Sequence, residues 1–174
     1  MTNTLVIVAH PDLSSSRANA ALLAALEPSD SVAVRLLTAT EPLDIPAEQR
    51  ALEAADEIVL QYPTYWYSPP ATLKNWLDEV LVRGWAYGTG APGALAGKGL
   101  RVVTTTGGAA DAYRPDGFHG WHFDDVLIPM KALARRLGMA WREPLAVHGV
   151  RELDAASLAE LGLRYRALIA APAA

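Results

Sequence analysis

The chain contains no cysteine, and this absence excludes disulfide bonds, thiolate catalysis and cysteine-ligated metals together. Any redox chemistry would therefore depend on a bound cofactor. Positive charge is also scarce, because 15 lysines and arginines face 19 acidic residues and the net charge is −4. A nucleic-acid groove needs clustered lysine and arginine, so no nucleic-acid partner is expected. No histidine and carboxylate stand at a ligand spacing on a helix, and no metal site is predicted.

Long hydrophobic runs are absent as well. The apolar stretches at 5–9, 57–60 and 100–103 are far shorter than the ~18 residues that a transmembrane helix needs. The opening Met-Thr-Asn-Thr lacks the basic region of a secretory signal peptide. We therefore expect a cytoplasmic protein. With 174 residues, of which 51% are hydrophobic and 20% charged, a single packed domain covering 1–174 is predicted.

Short apolar runs alternate with helical patterns along the chain. Strands are predicted at 5–9, 32–37, 58–62, 100–106 and 139–147, and helices at 17–26, 46–54, 70–83, 123–137 and 154–170. This alternation predicts an α/β fold with a doubly wound parallel sheet of five strands in the order 2-1-3-4-5. The loops after the first, third and fourth strands should then meet at one edge of the sheet, where such folds bind ligands. These loops cover 10–16, 63–68 and 107–121.

The first loop has the features of a phosphate site. It offers three consecutive serine hydroxyls and the N–H groups of a helix whose predicted cap is Ser16. Arg17 can add a positive charge, and His10 can add a ring donor. The loop has neither the Gly-Lys-Ser/Thr of a Walker loop nor the Gly-x-Gly-x-x-Gly of a dinucleotide fingerprint. Taken alone, an ordinary serine-rich helix cap explains it equally well.

The second loop is aromatic and rigid. A Tyr-Trp-Tyr run at 65–67 precedes Pro69, which keeps Ser68 extended, and Pro70, which suits the first turn of a helix. Exposed rings here would line a pocket for a planar ligand. Core packing or a subunit contact is the alternative, but the position at a strand end favours a ligand wall.

The third loop combines a flexible backbone with acid–base side chains. Gly107 and Gly108 let the backbone approach the edge of a ligand, and their N–H groups would stabilise negative charge on a reduced ring system. Tyr113 and His119 are the only acid–base candidates that cluster in a predicted site. His122 and His148 are predicted to be structural or exposed.

Four motifs together resemble the flavin-dependent NAD(P)H:quinone oxidoreductases, a family with the flavodoxin-like fold. They are Tyr-Pro-x-x-Trp-Tyr-x-x-Pro at 62–70, Leu-Lys-x-Trp-Leu-Asp at 73–78, Gly-Trp-Ala-Tyr-Gly at 84–88 and Thr-Thr-Gly-Gly at 105–108. The resemblance runs from the first predicted strand through the fifth. It is greatest to the short bacterial members, which include the ancillary quinone reductase of glutathione-gated potassium efflux.

The resemblance implies that the three loops form a flavin site. The flavin phosphate and ribityl chain would lie at His10, Ser16, Arg17, Ala18 and Asn19. The isoalloxazine would face Pro63, Thr64, Tyr65 and Trp66, and its pyrimidine edge would face Thr105, Thr106, Gly107 and Gly108. Tyr113 and His119 match a Tyr/His pair that assists hydride transfer in the longer mammalian-type members. Those members have a long C-terminal extension that is missing here, which favours FMN over the alternative, FAD.

The implied activity is a ping-pong transfer of hydride from NAD(P)H to flavin N5 and then to a quinone or a similar small aromatic acceptor. Family members are homodimers with sites at the interface, and the tryptophan-rich segment 66–85 with Trp121 is the expected contact. Thr64-Tyr65 replaces the Met-Gln or Phe-Gln common in this loop, which leaves acceptor selectivity open. Two alternatives remain: a regulatory subunit that docks on a potassium efflux transporter at the inner face of the membrane, and a flavodoxin-type electron carrier.

Overall fold

In the part of the chain that the structure describes, six parallel strands form one sheet with helices on both faces. A computed structural model describes residues 2–26, 29, 31–40 and 42–170. The strands are β1 (Thr4–Ala9), β2 (Val32–Leu37), β3 (Glu57–Pro63), β4 (Gly99–Thr105), β5 (Ala140–Trp141) and β6 (Leu145–Val147). Their order is β2-β1-β3-β4-β5, and β6 also pairs with β4. The predicted doubly wound sheet and its strand order are therefore confirmed.

The helices begin and end close to their predicted bounds. They are α1 (Arg17–Ala24), α2 (Ile45–Ala54), α3 (Ala71–Val80), α4 (Phe123–Val126), α5 (Ile128–Leu137) and α6 (Ala155–Ala170). Ser16 caps α1 as predicted, because its hydroxyl accepts the Asn19 N–H at 3.2 Å. The helix predicted at 70–83 ends early, since Leu81 leaves the helical region with ψ of 59°. In the described part of the chain, no helix has the length and apolar character needed to cross a membrane.

The prediction of one continuous strand at 139–147 is wrong. The segment forms two short strands, β5 and β6, which pair with opposite ends of β4. Pro144 lies between them and has no N–H to contribute to a strand ladder. The interruption places the carboxyl end of β6 beside the carboxyl end of β4, at the edge where the predicted loops meet.

The helix predicted at 123–137 is also interrupted, at Leu127. Pro129 cannot donate the N–H bond to the Asp125 carbonyl that a continuous helix would require. It is instead accommodated in the first turn of α5. Phe123, the first residue of α4, reaches the ring of Tyr113 with a centroid separation of 5.1 Å.

The sheet is buried on both faces. Leu5 and Ile7 of β1 pack in one apolar core with residues of α2, α3 and α5, whereas Val6 and Val8 pack in a second core with α1 and α6. This is why the strand has a continuous apolar sequence and no alternation with polar residues. Trp76 of α3 lies in the first core, and its indole N–H donates to Glu48 at 3.1 Å. It is therefore unavailable for the subunit contact that the tryptophan-rich segment was expected to make.

Candidate functional site

The carboxyl ends of β1, β3 and β4 border a cavity of about 500 Å³, a volume typical of small-molecule sites. Every residue predicted to bind a cofactor lines it, except Trp66 and Gly108. Three further lining residues were not predicted, namely Ser15, Val150 and Arg151. The sheet topology thus brings the three predicted loops together.

The N-terminus of α1 forms one end of this cavity. Helix geometry leaves the N–H groups of Arg17 and Ala18 without intrahelical acceptors, so both can bind an anion. The Arg17 guanidinium donates to the Leu153 carbonyl at 2.8 Å. One of its donors therefore joins α1 to the loop after β6, while its charge still borders the cavity.

Arg151 adds a second positive charge that the sequence interpretation missed. Its guanidinium lies beside Gly107, where atoms of the group would be 3.5–3.8 Å from a Cβ at that position. Within the described residues, no hydrogen bond or ion pair holds this side chain. Its position was available from the sequence, because it follows the end of β6 by only four residues.

His10 offers a neutral ring donor to the cavity. Its Nδ1 accepts the Asp12 N–H at 3.1 Å, so the neutral ring carries its proton on Nε2. That nitrogen lies 3.5 Å from the Tyr65 hydroxyl. Burial lowers the pKa of His10 below its ordinary value, against smaller opposing effects of Asp12. The lowered pKa favours the neutral form.

Buried polar side chains fix the start of α1 to β3 and β4. Gln61 Nε2 donates to the Asn19 carbonyl, and Asn19 Nδ2 donates to the Thr105 hydroxyl, each at 3.0 Å. All three residues are at most 3% exposed. Because a buried hydrogen bond holds its partners to one geometry, these contacts keep the cavity's polar end at a fixed place relative to the sheet.

The aromatic loop after β3 contains a tight turn with an unusual backbone. Tyr65 and Ser68 exchange two backbone hydrogen bonds of 2.9 and 3.0 Å. The residues between them, Trp66 and Tyr67, have φ of +48° and +62°. Left-handed backbone costs a non-glycine residue roughly 1–2 kcal/mol, and such strain clusters at functional sites. The turn leaves Trp66 93% exposed and outside the cavity lining.

Tyr113 and His119 come together, with stacked rings whose centroids are 4.2 Å apart. A Cβ on Gly108 would lie 2.8 Å from His119 Nε2 and 3.3 Å from the Tyr113 ring, so glycine is what allows the two rings to lie against this backbone. The Tyr67 hydroxyl is 3.0 Å from His119 Nδ1. Burial raises the pKa of the Tyr113 phenol, against a smaller opposing effect of the Thr106 hydroxyl.

Two of the backbone N–H groups in the third loop are free to bind a ligand. Thr106 N–H donates to the Val147 carbonyl, whereas the N–H groups of Gly107 and Gly108 make no hydrogen bond within the described residues. Paired free donors beside a cavity are the arrangement that stabilises negative charge on a bound group.

His148 joins the Tyr113 and His119 cluster, which the sequence did not indicate. Its Nδ1 lies 2.9 Å from the Thr106 hydroxyl, which itself donates to the Gly108 carbonyl at 2.9 Å. A hydroxyl has one proton, so His148 Nδ1–H is the donor in the first contact. The His148 ring is 5.2 Å from that of Tyr113, and burial lowers the pKa of this histidine. Tyr113 thus contacts two imidazole rings.

His122 lies outside this cluster. It is exposed and caps α4, in agreement with the structural or exposed role predicted for it.

The chain is similar over nearly its full length to several known proteins. Residues 2–169 match Flavodoxin_2, the family described as having a flavodoxin-like fold. The glutathione-regulated potassium-efflux system ancillary protein KefG of Cronobacter sakazakii is 42% identical over 171 residues, which cover 97% of this chain and 92% of that protein.

Two solved structures are similar in both sequence and shape. The NADPH-quinone reductase from P. pentosaceus is 32% identical with a TM-score of 0.90, covering 99% of this chain and 100% of that one. General stress protein 14 from Treponema denticola, solved in complex with FMN, is 33% identical with a TM-score of 0.87, covering 96% of this chain and 97% of that one. The resemblance inferred from the four motifs is confirmed, and the chain belongs to the Flavodoxin_2 family of flavodoxin-like proteins.

Proposed function

We propose that this chain is an FMN-dependent NAD(P)H:quinone oxidoreductase. The observation that carries the proposal is the arrangement of one cavity between a helix N-terminus and Gly107, with the Tyr113 and His119 rings beside the adjoining Gly108. The similar structures support it, since one is named an NADPH-quinone reductase and another was solved in complex with FMN.

The polar end of the cavity fits a flavin phosphate. The free N–H groups at the start of α1 and the hydroxyl of Ser16 supply hydrogen-bond donors. Arg17 and Arg151 supply two positive charges, and an arginine fork suits phosphate oxygens. These donors suit a terminal phosphate monoester. FMN has one such group, which agrees with the FMN-bound relative.

The opposite part of the cavity fits a flat ring. Pro63 and Thr64 present backbone and small side chains along one wall, and Tyr65 adds an aromatic surface. The free N–H groups of Gly107 and Gly108 can bind the oxygen and nitrogen atoms of a pyrimidine edge. Since neither glycine has a Cβ, a ring can approach this backbone closely.

Bound FMN would supply the redox chemistry, accepting a hydride from NAD(P)H and passing it to a quinone in a ping-pong sequence. The protein's own groups control charge and protons around it. The glycine N–H donors stabilise negative charge at the pyrimidine edge. Burial keeps the Tyr113 phenol protonated and available as a donor. His119, stacked on that phenol with Nε2 above Gly108, can hold or give the proton that the reduced acceptor needs.

Steady-state kinetics with FMN-loaded protein test this function. We expect oxidation of NADPH or NADH in the presence of menadione, with the parallel double-reciprocal plots of a ping-pong mechanism. The double variant Tyr113→Phe, His119→Gln should lower turnover on the order of 10²-fold, as expected for loss of acid–base groups. Flavin content, measured by absorbance, is the control for binding. Absence of turnover by the FMN-loaded wild type would refute the proposed activity. Unchanged kinetics in the variant would show that neither Tyr113 nor His119 has an acid–base role.

A regulatory role on a potassium efflux transporter is the second candidate. It is favoured by the 42% identity to KefG, which is named as an ancillary protein of a glutathione-regulated potassium-efflux system. In this role the chain would act in the cytoplasm at the inner face of the membrane. Potassium efflux should then fall when the chain is deleted and recover with the Tyr113→Phe, His119→Gln variant. Efflux that does not change on deletion would eliminate the regulatory role.

A homodimer is part of the proposal. Trp66, Phe118 and Trp121 are 93%, 90% and 67% exposed. We call these three residues the aromatic surface. The ring of Phe118 is nearly perpendicular to that of His119, with a centroid separation of 5.2 Å, and Trp66 adjoins Tyr67, which contacts the same histidine. A partner covering the aromatic surface would therefore lie next to the proposed acid–base pair.

A further inference from the structure

We propose that Tyr67 is a positioning residue for His119: its hydroxyl donates to Nδ1, places the imidazole proton on Nε2 and holds that N–H above Gly108. The inference rests on the proposed function for its chemical purpose. Its structural content, the tautomer of one histidine, is independent of any activity.

The strained turn is what brings Tyr67 to His119. The two residues are 52 positions apart, one after β3 and the other after β4, and their side chains meet at 3.0 Å. Tyr67 reaches this place with φ of +62°, next to Trp66 with φ of +48°. A turn with both central residues left-handed normally uses Asn-Gly or Asp-Gly. A left-handed backbone is unfavourable for tyrosine. Backbone strain of this kind is typical of functional sites, and here it accompanies the contact with His119.

The surroundings of His119 leave Tyr67 as its one side-chain hydrogen-bond partner among the described residues. Tyr113 stacks on one face of the imidazole at 4.2 Å, and Phe118 approaches with a centroid separation of 5.2 Å. The backbone N–H of His119 donates to the Ala112 carbonyl at 3.0 Å. No ion pair with a carboxylate involves this ring in the same part of the chain. The tautomer of His119 therefore depends on the phenol of Tyr67.

The direction of the Tyr67–His119 bond follows from the chemistry of its two partners. A neutral imidazole nitrogen with a free lone pair is a stronger acceptor than a phenol oxygen, and the phenol O–H is a good donor. The bond is thus O–H to Nδ1, and the ring proton resides on Nε2. That nitrogen would lie 2.8 Å from a Cβ on Gly108, one of the two glycines whose N–H groups make no hydrogen bond within the described residues.

This tautomer suits the acceptor half of the proposed reaction. A quinone that gains one hydride carries a negative oxygen and needs one proton to become the hydroquinone. Nε2–H can hydrogen-bond to that oxygen and stabilise its charge. As Nε2 gives its proton to the oxygen, Nδ1 takes the proton of the Tyr67 phenol, and solvent water restores the phenol proton. The opposite tautomer would present a lone pair to the same oxygen and repel it. Tyr67 acts through His119 and touches neither reactant in this scheme.

Nitrogen-15 NMR of histidine-labelled protein tests the tautomer directly. The resonances of His119 are identified by their loss in His119→Gln. In the wild type we expect Nε2 protonated and Nδ1 unprotonated, both without and with FMN. Tyr67→Phe should increase the fraction with the proton on Nδ1. Tyr87→Phe removes a hydroxyl from a half-buried tyrosine that lies against Arg136, away from the cavity, and should leave the His119 resonances unchanged.

Kinetics of the separate half-reactions give a second readout. Tyr67→Phe should slow reoxidation by menadione about tenfold, less than the loss of an entire acid–base group, and leave reduction by NADPH within twofold. A wild-type spectrum with the proton on Nδ1 overturns the proposal without any variant. So does an unchanged tautomer in Tyr67→Phe. If menadione is not reduced at all, the proposed function fails, while the expected tautomer shift would still establish the positioning role.

Discussion

At the scale of single residues, the two arginines that border the cavity are held differently. Arg17 donates to the Leu153 carbonyl, so part of its hydrogen-bonding capacity serves the fold. Arg151 has no such partner among the described residues, and its guanidinium lies beside Gly107. An unpaired cation at a cavity wall can give a full charge-assisted hydrogen bond to a ligand without first breaking one within the protein.

We therefore expect Arg151→Gln to weaken FMN binding roughly tenfold, which is about 1.4 kcal/mol and near the lower end for a hydrogen bond between charged groups. The measure is the dissociation constant from quenching of FMN fluorescence. Arg164→Gln removes the same charge from an exposed position on α6 outside the cavity and is the matched control. Equal affinities for the two variants would show that Arg151 does not contact the cofactor.

The acid–base cluster shows which residues of the site could be predicted from the sequence and which could not. Tyr113 and His119 were identified because they lie in one loop after a strand. His148 was not, since its contact with Thr106 depends on the pairing of β6 with β4, which is a long-range event. Tyr67 was assigned to the aromatic loop, but its contact with His119 depends on a left-handed backbone that a Trp-Tyr sequence does not favour.

At the scale of secondary structure, local sequence patterns were enough to predict the strands that are buried on both faces of the sheet. β1 and β3 were predicted because a continuous apolar run has few alternatives at that length. The interruption at Pro144 was missed because strand propensity is similar on both sides of it. The break at Leu127 was missed for a related reason: Pro129 is compatible with the first turn of a new helix, so its presence did not by itself contradict a helical pattern.

The segment between α3 and β4 contains a close approach that only glycine allows. Ala94 N–H donates to the Trp85 carbonyl at 3.0 Å, and a Cβ on Gly93 would lie 2.0 Å from the Ala86 carbonyl oxygen. Backbone atoms cannot move aside as the end of a flexible side chain can. Because Ala86 and Leu95 in this segment belong to the first core, displacement here would disturb the packing beneath it.

Gly93→Ala should consequently lower the free energy of unfolding by about 1–3 kcal/mol, the range for overpacking. Gly90→Ala is the matched control, because Gly90 has φ of +78° but nothing near its missing Cβ. Only backbone strain of roughly 1–2 kcal/mol should apply there. Urea denaturation followed by far-UV circular dichroism compares the two. A Gly93→Ala variant as stable as the wild type would contradict the proposed clash.

At the scale of the whole molecule, the sheet divides the protein into two apolar cores and leaves its largest exposed rings at one rim. Most exposed apolar residues of a monomer are scattered and need no explanation. The aromatic surface differs, because Trp66 and Phe118 both flank the contact between Tyr67 and His119. Aromatic side chains with exposures of 93% and 90% are characteristic of interaction sites. A second copy of the chain is the partner we propose.

The dimer gives the last prediction. Wild-type protein should sediment as a dimer, and Trp66→Ser combined with Phe118→Ser should sediment as a monomer, since aromatic anchors contribute much of the energy of an interface. Leu36→Ser combined with Leu163→Ser is the matched control, because these leucines are 48% and 59% exposed and lie on β2 and α6, outside the aromatic surface. That pair should remain dimeric.

If the interface also completes the site, the monomeric variant should lose menadione reduction while keeping its FMN, because the polar end of the cavity lies entirely within one chain. A wild type that sediments as a monomer, or a control pair that dissociates equally, would contradict the assignment of the aromatic surface.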